Sequence, residues 1–199
     1  MQQARQREYV EWFSRTSDSE HLSALIGRFS REMGYDHFGC ALVMPMPQSP
    51  ARVVLFNEAT EASMQVHEAD HPIAEDPLIR LAQTQTLPIY WGRLDEHARF
   101  LQKDTLELME KVACSGLHHG VSFPLHGAEG ENGILSFITH TAVDSALVLE
   151  SSPLLFWMSH NIFAAAIRVA RRNLLPGAAV EGPNEGHTPY RVIRTDRLH

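Results

Sequence analysis

The stretch GVSFPLHGAEGENGILSFITH, residues 120–140, decides the fold. Val121, Phe123 and Leu125 alternate with other residues, as the two-residue period of a strand requires. AEGENG then places two glycines among charged residues, the composition of a tight hairpin. ILSFITH is the returning strand. An antiparallel hairpin with this much apolar character needs further strands and a helical layer to cover it.

Working outward, the flanking segments supply both. On the C-terminal side a long helix is expected from about Asp144 to Asn173, with Asp144 as its cap. Leu155, Met158, Ile162, Ala165 and Val169 form one apolar stripe, and Leu154, Trp157 and Ala164 a second. Either one wide core face or a core face plus a subunit contact accounts for that width. On the N-terminal side, FLQKDTLELMEKVACSG reads as an amphipathic helix ended by Gly116, and LPIYW as a short strand. Asp76-Pro77 suits a helix start, because Asp caps and Pro tolerates the first turn. EATEASMQVHEAD reads as a helix with a thin apolar face of Ala59, Ala62, Met64 and Val66. HFGCALVMP and RVVLFN read as a strand pair joined by a loop, MPQSPA. Before them come two helices. The first covers about residues 2–15. The second opens with Ser17 and Glu20 as a capping box and stops at Gly34. PGAAVEGPNEGHTPYRVIRTDRLH, at the C-terminal end, is rich in Pro and Gly without periodicity and reads as a linker. The order of elements predicts an α+β fold, one largely antiparallel sheet with helices on both faces.

The chain has 199 residues, 44% hydrophobic and 21% charged, ordinary values for a globular protein with a real core. No apolar run reaches the length of a membrane span, and the N-terminus has no signal-peptide core, so a cytoplasmic protein is expected. Cys40 and Cys114 make neither a disulfide framework nor a metal spacing. The net charge of −7 argues against a DNA-binding surface, which carries a basic footprint. The one basic cluster, Arg168 to Arg172, falls near a helix end, where cations suit the dipole.

Twelve histidines call for a metal search. His67-Glu68-Ala69-Asp70-His71 satisfies the bare H-E-x-x-H pattern of zinc hydrolases, which needs a stable helix and a third ligand. His71 precedes a proline, and a residue before proline is pushed out of helical geometry. Cys114 lies near His118 and His119, as a nucleophile would, yet a lone Cys on an apolar helix face is ordinary core. No G-x-S-x-G elbow, P-loop or Cys-x-x-C occurs. The chain is expected to be neither an enzyme nor a cofactor or metal protein.

Two blocks together, DPLIRLAQTQTLPIYW (76–91) and ACSGLHHGVSFPLHGAEGENGILSFIT (113–139), resemble the autoinducer-binding domain of LuxR-type quorum-sensing regulators. The match in order and spacing covers most of residues 5–175. The resemblance implies an α-β-α sandwich with a five-stranded antiparallel sheet between helical layers, and an acyl-homoserine lactone held between sheet and helices. It implies that Asp76 accepts from the ligand amide N–H and that Trp91 walls the lactone ring. It gives Ser136 a bond to the acyl carbonyl, and Pro77, Gly116 and Gly120 structural positions. A buried amide needs both kinds of partner.

The departures are as informative. Counting back from Asp76, the family's lactone-binding Trp falls at Ser63, its pocket Tyr at His67 and a second Tyr at Ala59. Trp is absent between Phe13 and Trp91, so no shift of alignment restores the indole. An unpaired lactone carbonyl costs roughly 1–3 kcal/mol, about 5–150-fold in affinity. The expectation is a sensor and dimerisation domain, residues 1–175, that does not bind standard acyl-homoserine lactones. It would sense another small molecule or none. Residues 176–199 would be a linker towards a helix-turn-helix domain that this chain lacks. DNA would be contacted only through that domain, with no membrane partner and with a homodimer built on the long helix. The alternative is a stand-alone anti-activator acting by heterodimerisation.

Overall fold

The computed structural model describes residues 3–57, 64–68, 77–91, 119–140 and 145–174. Helices α1 (Gln3–Arg15) and α2 (Ser19–Glu32) lead into strands β1 (His37–Met46), β2 (Ser49–Asn57) and β3 (Met64–Glu68). Then come the short helix α3 (Pro77–Ala82), the two-residue strand β4 (Ile89–Tyr90), β5 (His119–His126), β6 (Asn132–Thr139) and the long helix α4 (Ser145–Leu174). All strands pair antiparallel, in the order β3-β2-β1-β6-β5-β4. Among the described residues there are thus five strands of at least five residues, as expected, plus a two-residue sixth at the edge.

Period-two alternation divides the sheet between two helical layers. Cys40, Leu42, Phe56, Val121, Phe123, Leu125, Leu135 and Phe137 share one buried cluster with Tyr9 and Phe13 of α1, Phe29 of α2 and Met158 and Ile162 of α4. Ala41, Val53 and Ile134 lie in a second cluster with Ile79 and Ala82 of α3 and Ile89. A sheet covered on both faces explains why the strands read as nearly continuous apolar runs. Phe137 sits at the centre of the larger cluster, 5.8 Å from Phe29 and 6.1 Å from Phe123 between ring centroids, both edge-on.

Three local expectations are corrected, and one left open is narrowed. The helix over EATEASMQVHEAD is not formed at Met64–Glu68, which is β3, paired with Arg52–Phe56. Its apolar face was too thin to hold a helix against the sheet, whereas β2 offers a full ladder of hydrogen bonds. His67 therefore lies on a strand, without the helical i, i+4 geometry a metal pair with His71 requires. The cap of α2 is Asp18, not Ser17: its carboxylate accepts from the His21 N–H at 2.8 Å. MPQSPA is no open loop but a tight turn, with strands ending at Met46 and restarting at Ser49 and with Gln48 at φ 61°. Finally, Leu154 is half-buried and Trp157 and Ala164 are exposed, while Leu155, Met158, Ile162, Ala165 and Val169 are fully buried. The core of this chain thus takes the first stripe of α4, with Leu154 packed at its edge, and leaves Trp157 and Ala164 exposed.

The basic cluster near the end of α4 is engaged structurally. Arg168 donates to the carbonyls of Phe13 and Thr16 at the C-terminal end of α1, where a cation also meets the helix dipole. Arg171 pairs with Glu129 and Glu131 at the tip of the β5–β6 hairpin. Ala59, Ser63, His71, Asp76, Cys114, Gly116, His118, Asp144, the helix read over 100–116 and the linker read over 176–199 lie outside the described residues.

Candidate functional site

The candidate site lies on the sheet face covered by α3. Ile89 pairs with Ser122 and Tyr90 with Val121, so alternation sends Tyr90 and Trp91 to opposite faces. Tyr90 reaches α4, its hydroxyl 2.8 Å from Ser152 Oγ. Trp91, only 6% exposed, crosses the α3 face beside Gly120. A Cβ on Gly120 would stand 2.7 Å from the Phe137 carbonyl and 3.2 Å from Trp91 Cδ2. Only glycine lets the indole lie this close to the strand.

From there the indole N–H donates to Ser122 Oγ at 2.9 Å, and Ser122 Oγ lies 2.7 Å from Ser136 Oγ. The pairing of Ser122 with Ser136 across β5 and β6 sets this hydroxyl contact. Both serines are buried, so their hydroxyls and the indole N–H satisfy one another in a setting where an unpaired polar group is costly. Gly39 pairs with Ser136 on β1, and no described residue comes within 4 Å of where its Cβ would sit. The polar chain thus borders a part of the sheet that carries little side-chain bulk.

Of the expected site residues, the structure brings Trp91 and Ser136 together, through a residue that sequence reading missed. Ser122 had a legible signal: it breaks the apolar character of a strand with both faces covered, so it needed a partner. His67 pairs with Val53 on β3, three strands from β6. The register runs from His67 through Val53 and Val43 to Asn132, four residues along β6 from Ser136, so at about 4.8 Å per strand and about 3.4 Å per residue the two backbones stand roughly 20 Å apart. Ala59, Ser63 and Asp76 lie outside the described residues.

The Cys40 thiol is buried and its pKa is pushed up to about 12 by desolvation, so it stays protonated and unreactive. Among the described residues no group of three or more His, Cys, Asp or Glu is placed to hold a metal ion. No described helix is long and apolar enough to cross a membrane.

The sequence family described as "Autoinducer binding domain" matches residues 18–166. The transcriptional activator proteins AhyR of Aeromonas hydrophila and AsaR of Aeromonas salmonicida are each 53% identical over 174 residues, 87% of this chain and 67% of theirs. LuxR of Aliivibrio fischeri is 24% identical over 110 residues, 55% of this chain and 43% of its own. The crystal structure of Escherichia coli SdiA superposes with a TM-score of 0.61 at 19% identity, covering 94% of this chain and 74% of that one. SdiA in complex with octanoyl-rac-glycerol gives 0.56 at 19%, covering 87% and 69%. At that identity the structures speak for the fold alone. The family match and the Aeromonas relatives, added to the α-β-α architecture, show that the chain belongs to the autoinducer-binding domain family of LuxR-type transcriptional regulators.

Proposed function

We propose that this domain is the ligand-sensing and dimerisation part of a cytoplasmic LuxR-type quorum-sensing regulator, tuned to a small molecule other than a standard acyl-homoserine lactone. The observation that carries the reading is an asymmetry. The Trp91–Ser122–Ser136 chain is complete and buried, whereas Ala59, Ser63 and His67 stand where the family places aromatic partners. With Ser122 donating to Ser136, the Ser136 hydrogen is left for a ligand carbonyl, and Asp76 supplies the acceptor for a ligand N–H. No indole remains at position 63 to hold a lactone carbonyl. The SdiA complex with octanoyl-rac-glycerol supports a lactone-free acyl compound as ligand class, since that neighbour of the same fold takes one. On this reading residues 1–175 form the sensor, and residues 176–199 lead towards a helix-turn-helix domain through which DNA is read.

The test is thermal unfolding with a panel of acyl-homoserine lactones of increasing chain length and with 1-octanoylglycerol. Saturating ligand raises stability by RT ln(1 + [L]/Kd). No lactone should move the midpoint; a rise above roughly 2 °C at micromolar lactone would overturn the reading. Ser63→Trp with His67→Tyr should restore lactone binding.

A second reading, a heterodimerising anti-activator, draws on two exposed apolar side chains of α4, Phe156 at 38% and Trp157 at 46% exposure. Co-expression with a full-length regulator separates the two. The anti-activator traps that regulator in mixed dimers off DNA; the sensor does not.

A further inference from the structure

We propose that His37 and His140 chelate a late first-row divalent metal ion at the end of the sheet where β6 hands over to α4. His37 opens β1 and His140 directly follows β6. The register His37 opposite Ile138 brings the two rings to the same end of the sheet. Their Nε2 atoms are 3.1 Å apart and exposed to solvent. The rings meet at an interplanar angle of 85° with centroids 5.2 Å apart, so nitrogen faces nitrogen rather than ring face covering ring face.

Two metal–nitrogen bonds of about 2.0–2.1 Å at a near-tetrahedral angle hold the nitrogens roughly 3.3 Å apart. Rotamer adjustments of a few tenths of an ångström convert the observed pair into a chelate. The backbone around the pair is braced. The His37 carbonyl accepts from Ser30 Oγ at 3.1 Å. Asp36 Oδ2 accepts from the His140 N–H at 3.0 Å and from Thr139 Oγ1 at 2.8 Å. Asp36 thereby ties the two strand ends and sets a carboxylate beside the rings.

Two imidazoles and no third described ligand make an open site, completed by water and exchangeable. Imidazole nitrogen selects Cu2+, Zn2+ and Ni2+ over Mg2+ or Ca2+, with Cu2+ bound most tightly. A bound ion would clasp the start of β1 to the segment that enters α4.

The test uses the metals alone on the whole chain. Substoichiometric Cu2+ should broaden the amide resonances of Asp36, His37, Thr139 and His140 before any others. Calorimetry with Zn2+ should show His37→Ala and His140→Ala each weakening that site about tenfold or more. His21→Ala, at an exposed histidine of α2, should leave it unchanged, and Mg2+ should give no signal. First broadening centred elsewhere, or wild-type Zn2+ affinity in both variants, overturns the proposal. If a variant fails to fold, the broadening map of the wild-type chain decides.

Discussion

Replacing Ser122 by alanine tests whether the Trp91–Ser122–Ser136 chain is a connected unit. Ser122 is fully buried and Trp91 only 6% exposed. The substitution removes the acceptor at 2.9 Å from the indole N–H and the hydroxyl at 2.7 Å from Ser136. An orphaned buried donor costs about 1–3 kcal/mol. Ser136→Ala differs: it takes one partner from Ser122 and leaves the indole bond in place, so its cost is about 0.5–1.5 kcal/mol. Trp91→Phe removes the donor itself. In a Trp91→Phe background, Ser122→Ala should therefore cost about 1 kcal/mol less than in the wild type, a coupling expected of neighbours in one network. Urea unfolding measures each free energy, with unchanged m-values as the check on two-state behaviour. Equal costs for Ser122→Ala and Ser136→Ala, or no coupling between positions 91 and 122, would refute the reasoning.

Gly120→Ala should destabilise by about 1–3 kcal/mol, because its Cβ meets backbone at 2.7 Å and backbone cannot turn aside. Calorimetry should show a fall in Tm of several degrees, and an unchanged Tm would mean that β5 and β6 part without strain. Glu32 bonds Arg5 at 2.7 Å. That contact foremost, opposed by desolvation and helped by Tyr9 and Arg28, pulls the Glu32 pKa from 4.5 to about 2. A carboxylate with a depressed folded pKa stabilises above its unfolded pKa and loses that contribution as pH falls through the folded one. The Tm gap between wild type and Glu32→Gln should therefore be widest above about pH 5 and close towards about pH 2; a gap that does not narrow contradicts the assignment. Arg168→Ala should cost about 1.5–3 kcal/mol in urea unfolding, since a charged donor to two carbonyls is lost from the end of α1. Trp157→Glu should shift the chain towards monomer in sedimentation velocity with little change in its own Tm, because that side chain is 46% exposed; an unchanged oligomeric state would remove α4 as the dimer face.

Regular periodicity carried most of the fold into view. Alternation at Val121, Phe123 and Leu125 marked β5, and the buried stripe of α4 was readable from Leu155 to Val169. Both patterns report a large apolar area that only one geometry buries. Met64–Glu68 was misread because five residues with a thin apolar face carry no decisive period. Its state is set by β2, whose ladder lies elsewhere in the chain. The cap at Asp18 rather than Ser17 turns on which side chain reaches the free N–H, a matter of one residue of phase.

The candidate site divides in the same way. Trp91 and Ser136 could be named from the sequence because the resemblance assigned them. Ser122 could not be joined to them, because Trp91 is 31 residues away from it in sequence and Ser136 14 residues away. Their meeting depends on β4 pairing with β5 and β5 with β6, a register set by the burial of the whole sheet. By itself the sequence carried the resemblance that points to the family and the periodicity that marks the sheet and its helical layers, because both are read from residues close together in the chain. Only the tertiary structure decided that Trp91, Ser122 and Ser136 share hydrogen bonds, that His67 stands three strands away, and that His37 meets His140. Those facts are distances between residues far apart in the chain, and packing alone sets them.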